Sequence, residues 1–196
     1  MIHLVEGVGD ILLRSNFTAL LRERGKIVPG SHREGHNVFT VTGRNWLSKI
    51  AAWSSLSADT PYTERRVRWI GVGTGSQLEV TTVSQLATPV ITTASSYLVP
   101  LSTVTFPTAT SVRHSRTYGT SDISTTSTPV VVTEAGLFVD VDTTDLAGTE
   151  DSAVGGGVDT TLDPTVSTNP PIAYKAFDPI TKTQDFTLEI RWDFRF

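Results

Sequence analysis

The chain has 196 residues, no cysteine, a net charge of −4 and a sequence pI near 5.5. The missing cysteines exclude disulfides, thiolate metal sites and a Cys nucleophile. An acidic balance with no basic stripe speaks against direct contact with nucleic acid, and no apolar run approaches the roughly 20 residues that span a bilayer. Charged residues make up 18% of the chain while Thr, Ser and Val are abundant, a composition that favours strands and loops over helices. The opening Met-Ile-His-Leu-Val-Glu lacks the basic start and apolar core of a signal peptide, so a protein soluble when made is expected.

In chain order, residues 1–33 predict an N-terminal arm or hairpin. Leu13, Phe17, Leu20 and Leu21 have helical spacing. Phe17 to Val28 also reads as two short strands around Glu23-Arg24-Gly25, where Gly25 between charged residues is a turn signal. Val28-Pro29-Gly30-Ser31 is a break, and Asn37 to Thr42 is a short strand. Thr42 then reads as the N-cap of a helix over about 44–55. Its apolar stripe, with Trp46, Leu47, Ile50 and Trp53, suits it to cover part of a sheet. Arg65 to Gly71 predicts a strand with Val67 and Trp69 on one side, running into Gly71-Val-Gly-Thr-Gly75. Val80 to Leu86 suggests a helical turn ended by Pro89. Strands are expected in 97–106 and 112–118, and in 129–140 with a bend at Gly136. Residues 142–169 are polar, acidic and Gly-rich, and read as a long loop. Ile172 to Phe177 is a further strand, and Pro179 to Thr183 turns the chain into the last one.

That last stretch, Asp185 to Phe196, carries the strongest pattern. Phe186, Leu188, Ile190, Trp192, Phe194 and Phe196 occupy alternate positions, with charged or polar residues between them. A strand sends alternate side chains to opposite faces, so one face is apolar and the other charged. A second sheet, a helix or another chain must cover the apolar face. The expected fold is therefore mainly β, an antiparallel β-sandwich or barrel-like body with one packing helix. Residues 34–196 form its single domain. Trp46, Trp53, Trp69, Phe138, Phe186, Trp192, Phe194 and Phe196 are its core or interface candidates.

Motifs for chemistry are weak. Gly71-Val-Gly-Thr-Gly75 lacks the third Gly of a dinucleotide fingerprint and the Gly-Lys of a P-loop, so a tight turn needing positive φ is the plainer reading. His32 and His36 are four apart, but Gly30, Ser31 and Gly35 argue against a helix that would bring them together. His3 and His114 show no partner in the sequence. Asp140, Asp142, Asp145, Glu150 and Asp151 invite calcium but do not match an EF-hand, and a solvated loop is favoured. Arg65, Arg66 and Arg68 read first as a solvated strand face, with a small polyanion contact or an ion pair to an acidic neighbouring chain as the alternatives. No Gly-x-Ser-x-Gly elbow occurs. Catalytic, cofactor and metal residues are therefore all expected to be none.

Taken together, the ordered pieces resemble a known group. They are Glu-Gly-His-Asn (34–37), Thr-Gly-Arg (42–44), Trp-Ile-Gly-Val-Gly-Thr-Gly (69–75), Val-Thr-Glu-Ala-Gly-Leu-Phe (132–138), Phe-Asp-Pro-Ile-Thr-Lys-Thr (177–183) and the closing strand. In this order they are similar to the small structural proteins of tailed bacteriophage particles, over residues 34–196. The resemblance implies a virion component without enzymatic activity. It implies a capsid decoration or cement subunit first. A neck, tail or baseplate part, or a carbohydrate- or receptor-binding fibre module, is the alternative. The partners implied are other virion proteins and further copies of the same chain, with no membrane.

Overall fold

Among the described residues the chain forms eleven strands, the longer ones where β-branched and aromatic residues alternate with polar ones. The computed structural model describes residues 14–44, 47, 67–91, 98–123, 128–139 and 171–196. Sheet 1 contains β1 (Arg14–Glu23), β2 (Lys26–Ile27), β3 (Arg33–His36), β7 (Thr103–Thr108), β8 (Ser111–Tyr118) and β11 (Thr187–Arg195). Its order is β2-β1-β11-β8-β7, and β3 pairs with β1 on the same side as β2. Sheet 2 contains β4 (Val38–Phe39), β5 (Val67–Gly73), β6 (Leu98–Pro100), β9 (Val130–Val139) and β10 (Ala173–Lys182), in the order β4-β10-β9-β5-β6.

Every pairing is antiparallel. The sheets are joined at both edges by chain that passes from one to the other. β3 leaves sheet 1 and continues through Asn37 as β4; β6 leaves sheet 2 and continues through Leu101 and Ser102 as β7. Strands that switch sheets make the corners of a barrel-like sandwich. The mainly β, sandwich-like architecture expected from the pattern is what the chain adopts.

The terminal strand lies in the middle of sheet 1, between β1 and β8. Leu188, Ile190, Trp192 and Phe194 are buried and face sheet 2 across the core. Burying them is worth roughly 6–12 kcal/mol before ordering costs. The two ends of the expected face differ. Phe186 precedes the strand and is only half-buried, while Phe196 is 59% exposed just past it. Phe17, opposite Trp192 in register, meets its ring edge-on at 4.9 Å and stacks on Phe177 at 5.1 Å. The cover over the terminal strand is therefore sheet 2.

Of residues 1–33, expected as an arm or hairpin, 1–13 lie outside the described residues, while 14–27 form a hairpin that belongs to the body. β1 pairs with β11 from Arg14 to Arg22. Arg24 (φ 49°) and Gly25 (φ 83°) make the two-residue turn, the left-handed pair that a tight hairpin requires. The break after it is stitched down by Ser31, whose Oγ accepts from Leu21 N at 3.0 Å and donates to Val28 O at 2.7 Å.

Other local expectations need correction. The helix begins earlier than expected: residues 41–44 and 47 are helical, and the cap is Thr40. Thr40 Oγ1 accepts from Gly43 N at 3.0 Å and donates to Pro171 O at 2.6 Å, so a buried threonine both caps the helix and ties it to the chain entering β10. The rest of the expected helix, with Trp46 and Trp53, lies outside the described residues. β9 is one continuous strand through Gly136, where two strands were expected on either side of it. β10 continues to Lys182 through a bulge between Ala176 and Ile180, so the turn falls at Gln184-Asp185, later than Pro179–Thr183. A register shift between Val67 and Trp69 places Val67 against the main core and Trp69 against a second cluster.

Candidate functional site

The groups with the most chemistry lie on the outer face of sheet 2. Tyr174 and Phe138, together with Trp69, pack there against Val83, Leu86 and Leu98 in a small second core. Val83 and Leu86 come from the chain after β5, which folds back across the sheet. They sit among turns and bends where a helical turn was expected. This segment follows the end of β5 closely: Thr74 N donates to Thr88 O at 2.9 Å and Val90 N to Val72 O at 2.9 Å.

Glu134, fully buried on β9, holds the segment in place. Its Oε1 accepts from Thr88 N at 2.8 Å. Its Oε2 accepts from Ala87 N at 3.0 Å and from the Tyr174 hydroxyl at 2.9 Å. Burial, reinforced by Glu134 beside it, pushes the Tyr174 phenol well above its ordinary range, so it remains a donor. A buried carboxyl with three donors and no open side is satisfied, and it acts as a clasp.

The same clasp explains two glycines of the run, Gly73 and Gly75. None of Gly71, Gly73 and Gly75 has positive φ, so the expected tight turn is replaced by a demand for close approach. A Cβ on Gly73 would stand 2.3 Å from Glu134 Oε1 and 2.6 Å from Thr88 O; one on Gly75 would stand 2.6 Å from Ala87 Cβ. Gly136 plays the matching part on β9, where a Cβ would come within 2.8 Å of the Phe138 ring.

Two further clasps repeat the device. Glu79 Oε1 accepts from Lys175 Nζ at 2.7 Å and from Ala176 N at 3.2 Å, pinning the folded-back segment to β10. Lys182 is fully buried, and its Nζ donates to Thr120 O at 3.0 Å and Thr183 O at 2.7 Å. Burial lowers its pKa, against the opposing pull of Asp122 and Asp185. Asp122 in turn accepts from Gly119 N at 2.8 Å and from Arg116 at 3.1 Å, which closes the turn after β8. Sequence reading missed Glu134, Lys182 and Tyr174 as a working set. For Glu134 the available signal was a carboxylate inside a mostly apolar strand; Lys182 shares β10 with Lys175 and Asp178 and carries no such signal.

The outer face of sheet 1 is a polar ladder. Arg22 and Arg191 both reach Glu189, and Arg113 meets Asp193 with two hydrogen bonds, at 2.6 and 2.9 Å. Burial pushes Glu189 up, and its bonds to Arg22 and Arg191 more than offset that, leaving it below its ordinary value. On the inner side His114 is 7% exposed, and its pKa is driven down to about 4 by burial despite the charge of Asp193. It lines an apolar hollow of about 40 Å³ with Phe39, Val112, Phe194 and Phe196. That is well under the roughly 150 Å³ that admits a benzene ring.

Those of the remaining sequence candidates that lie among the described residues do not converge. His36 lies on β3 and His32 just before it; four residues of extended chain separate them by roughly 13 Å. Among the described residues no three His, Asp or Glu group could hold a metal ion. Asp140, Asp142, Asp145, Glu150 and Asp151 lie outside the described residues, as do His3, Arg65 and Arg66. The Arg68 guanidinium lies 4.9 Å from the centre of the Trp69 ring. Among the described residues no helix is long and apolar enough to cross a membrane. Comparison with protein-family models, with curated proteins and with solved structures finds no match for this chain.

Proposed function

We propose that this chain is a non-enzymatic structural subunit of a tailed-phage virion, a capsid decoration or cement protein that stabilises the particle through contacts between subunits. One observation carries the reading. The motif residues behind the phage resemblance are spent on holding shape: Glu134 and Lys182 are buried clasps, Gly73 and Gly136 admit close neighbours, and Trp192 and Phe194 fill the core. A particle component needs fixed geometry and surfaces that bury area against neighbours. Each such contact stabilises the assembly by mass action. Glu134, Glu79 and Lys182 are accordingly put to structural use.

The test is quantitative mass spectrometry and electron microscopy of purified particles from cells that make the protein. A decoration subunit appears in proportion to the main shell protein, with density on the shell surface. Density confined to the neck, tail or baseplate would move the protein to that role. Absence from particles, together with binding of the isolated protein to a glycan array, would replace the reading with a receptor-binding module.

A further inference from the structure

We propose that two copies of this chain pair edge to edge through β7, antiparallel about Thr105. Among the described residues β7 ends sheet 1 and pairs with β8 alone, and all six of its residues are exposed. Natural sheets protect such an edge with charged side chains, with Pro or with a bulge. Here Pro107 and the bulge between Thr105 and Thr108 guard one end only, and charge guards nothing: residues 80–112 contain no Asp, Glu, Lys, Arg or His, in a chain with 36 charged residues. Two molecules of net charge −4 repel each other over most of their surface. The uncharged stretch is where they meet at least electrostatic cost.

The occupant is specified by the strand itself. Val104 stands opposite His114, on the side of the sheet that faces sheet 2, yet it is 44% exposed, and Phe106 is 77% exposed. An antiparallel partner centred on Thr105 sets Val104 against Phe106 and Phe106 against Val104 on that side. Thr105 meets Thr105 on the other. Aromatic with β-branched and Thr with Thr are favourable cross-strand pairs, and a patch that complements itself is what a two-fold contact requires. Pro107 offers no N–H, and the register slips between Thr105 and Thr108, so the ladder is short. The isolated dimer is therefore weak and reversible. It gains strength where many copies are held side by side, and that gain rests on the structural-subunit reading above.

The chain has no cysteine, so a single introduced one reports the contact cleanly. Directly opposed residues in antiparallel strands have Cα atoms about 4.5–5.5 Å apart, inside the range a disulfide spans. The full chain carrying Thr105→Cys is oxidised with copper phenanthroline beside Leu78→Cys, a control at an 81% exposed loop position. The expected result is cross-linking of Thr105→Cys at least about tenfold faster. Val104→Lys added to it should bring the rate down to the control, with an unchanged circular dichroism spectrum. Wild-type chain should show concentration-dependent dimer by sedimentation. Equal rates for the two cysteines, or wild-type monomer across a hundredfold range of concentration, overturns the pairing. Neither result bears on whether the protein is found in particles.

Discussion

The described residues form two cores built by different means. The inner one, between the sheets, comes from alternation: Phe17, Trp192, Ile190 and Leu137 each take the inward position of a strand. The outer one, over sheet 2, comes from a segment without regular structure, held by Glu134, Glu79 and a row of glycines. The first is stabilised mainly by area removed from water, the second by a few polar clasps around a small apolar patch. Removing one side chain from the first should weaken the whole protein, whereas removing one clasp from the second should release mainly the segment it holds.

The largest effect is expected at the inner core. Trp192→Ala empties a fully buried site and should cost about 3–5 kcal/mol in denaturant unfolding, with unchanged steepness. Deletion of Asp185–Phe196 should abolish folding altogether. A truncated chain that still unfolds cooperatively would end the special place given to β11.

Acid should find the same core through His114. Its pKa falls from 6.5 unfolded to about 4 folded, so the unfolded chain binds more protons between these values. Stability should therefore drop as pH falls through 6.5 toward 4, by up to about 3 kcal/mol. His114→Phe should flatten that window in pH-dependent melting. The Glu189 contribution has the ordinary carboxylate sign. It is present above 4.5 and is lost as pH falls below it, so the two effects separate along the pH axis.

The outer core should respond more weakly and more locally. Glu134→Ala leaves two backbone N–H groups and the Tyr174 hydroxyl without their acceptor. It should cost about 2–3 kcal/mol, limited because the freed segment can turn to water. Tyr174→Phe removes one donor and should cost about 1 kcal/mol. The glycines give a finer contrast. Gly73→Ala drives a methyl into Glu134 and the Thr88 carbonyl and should cost about 1–3 kcal/mol. Gly25→Ala meets nothing within 4 Å and should cost only the roughly 1–2 kcal/mol of a left-handed backbone. Combining Gly73→Ala with Glu134→Ala should recover part of the Gly73 cost, since one of the clashing groups is then gone.

The difference between the cores also decides what could be read in advance. Alternation has a fixed period of two, so the apolar face of Leu188 to Phe194 and the mainly β class were visible from residue types alone. The hairpin at Gly25 was visible as one of two readings, and β1 turned out to be the neighbour of β11. Val83 and Leu86 have no period, because an irregular segment can aim any residue at a sheet. Glu134 gives no sign of its partners, since Ala87, Thr88 and Tyr174 lie far from it in sequence. The glycines from 71 to 75 signalled a special backbone, but the choice between positive φ and close approach depends on neighbours that only the folded chain supplies.

The most direct test of the two-core account is native-state hydrogen exchange on the wild-type chain and on Glu134→Ala. Amides of β11 and its neighbours β1 and β8 should exchange only through global unfolding. Amides of Ala87, Thr88 and Val90 should exchange through a smaller, local opening that Glu134→Ala accelerates about 30- to 150-fold, the factor for about 2–3 kcal/mol. Uniform acceleration across both regions, or faster exchange in β11 than in the clasped segment, would contradict it.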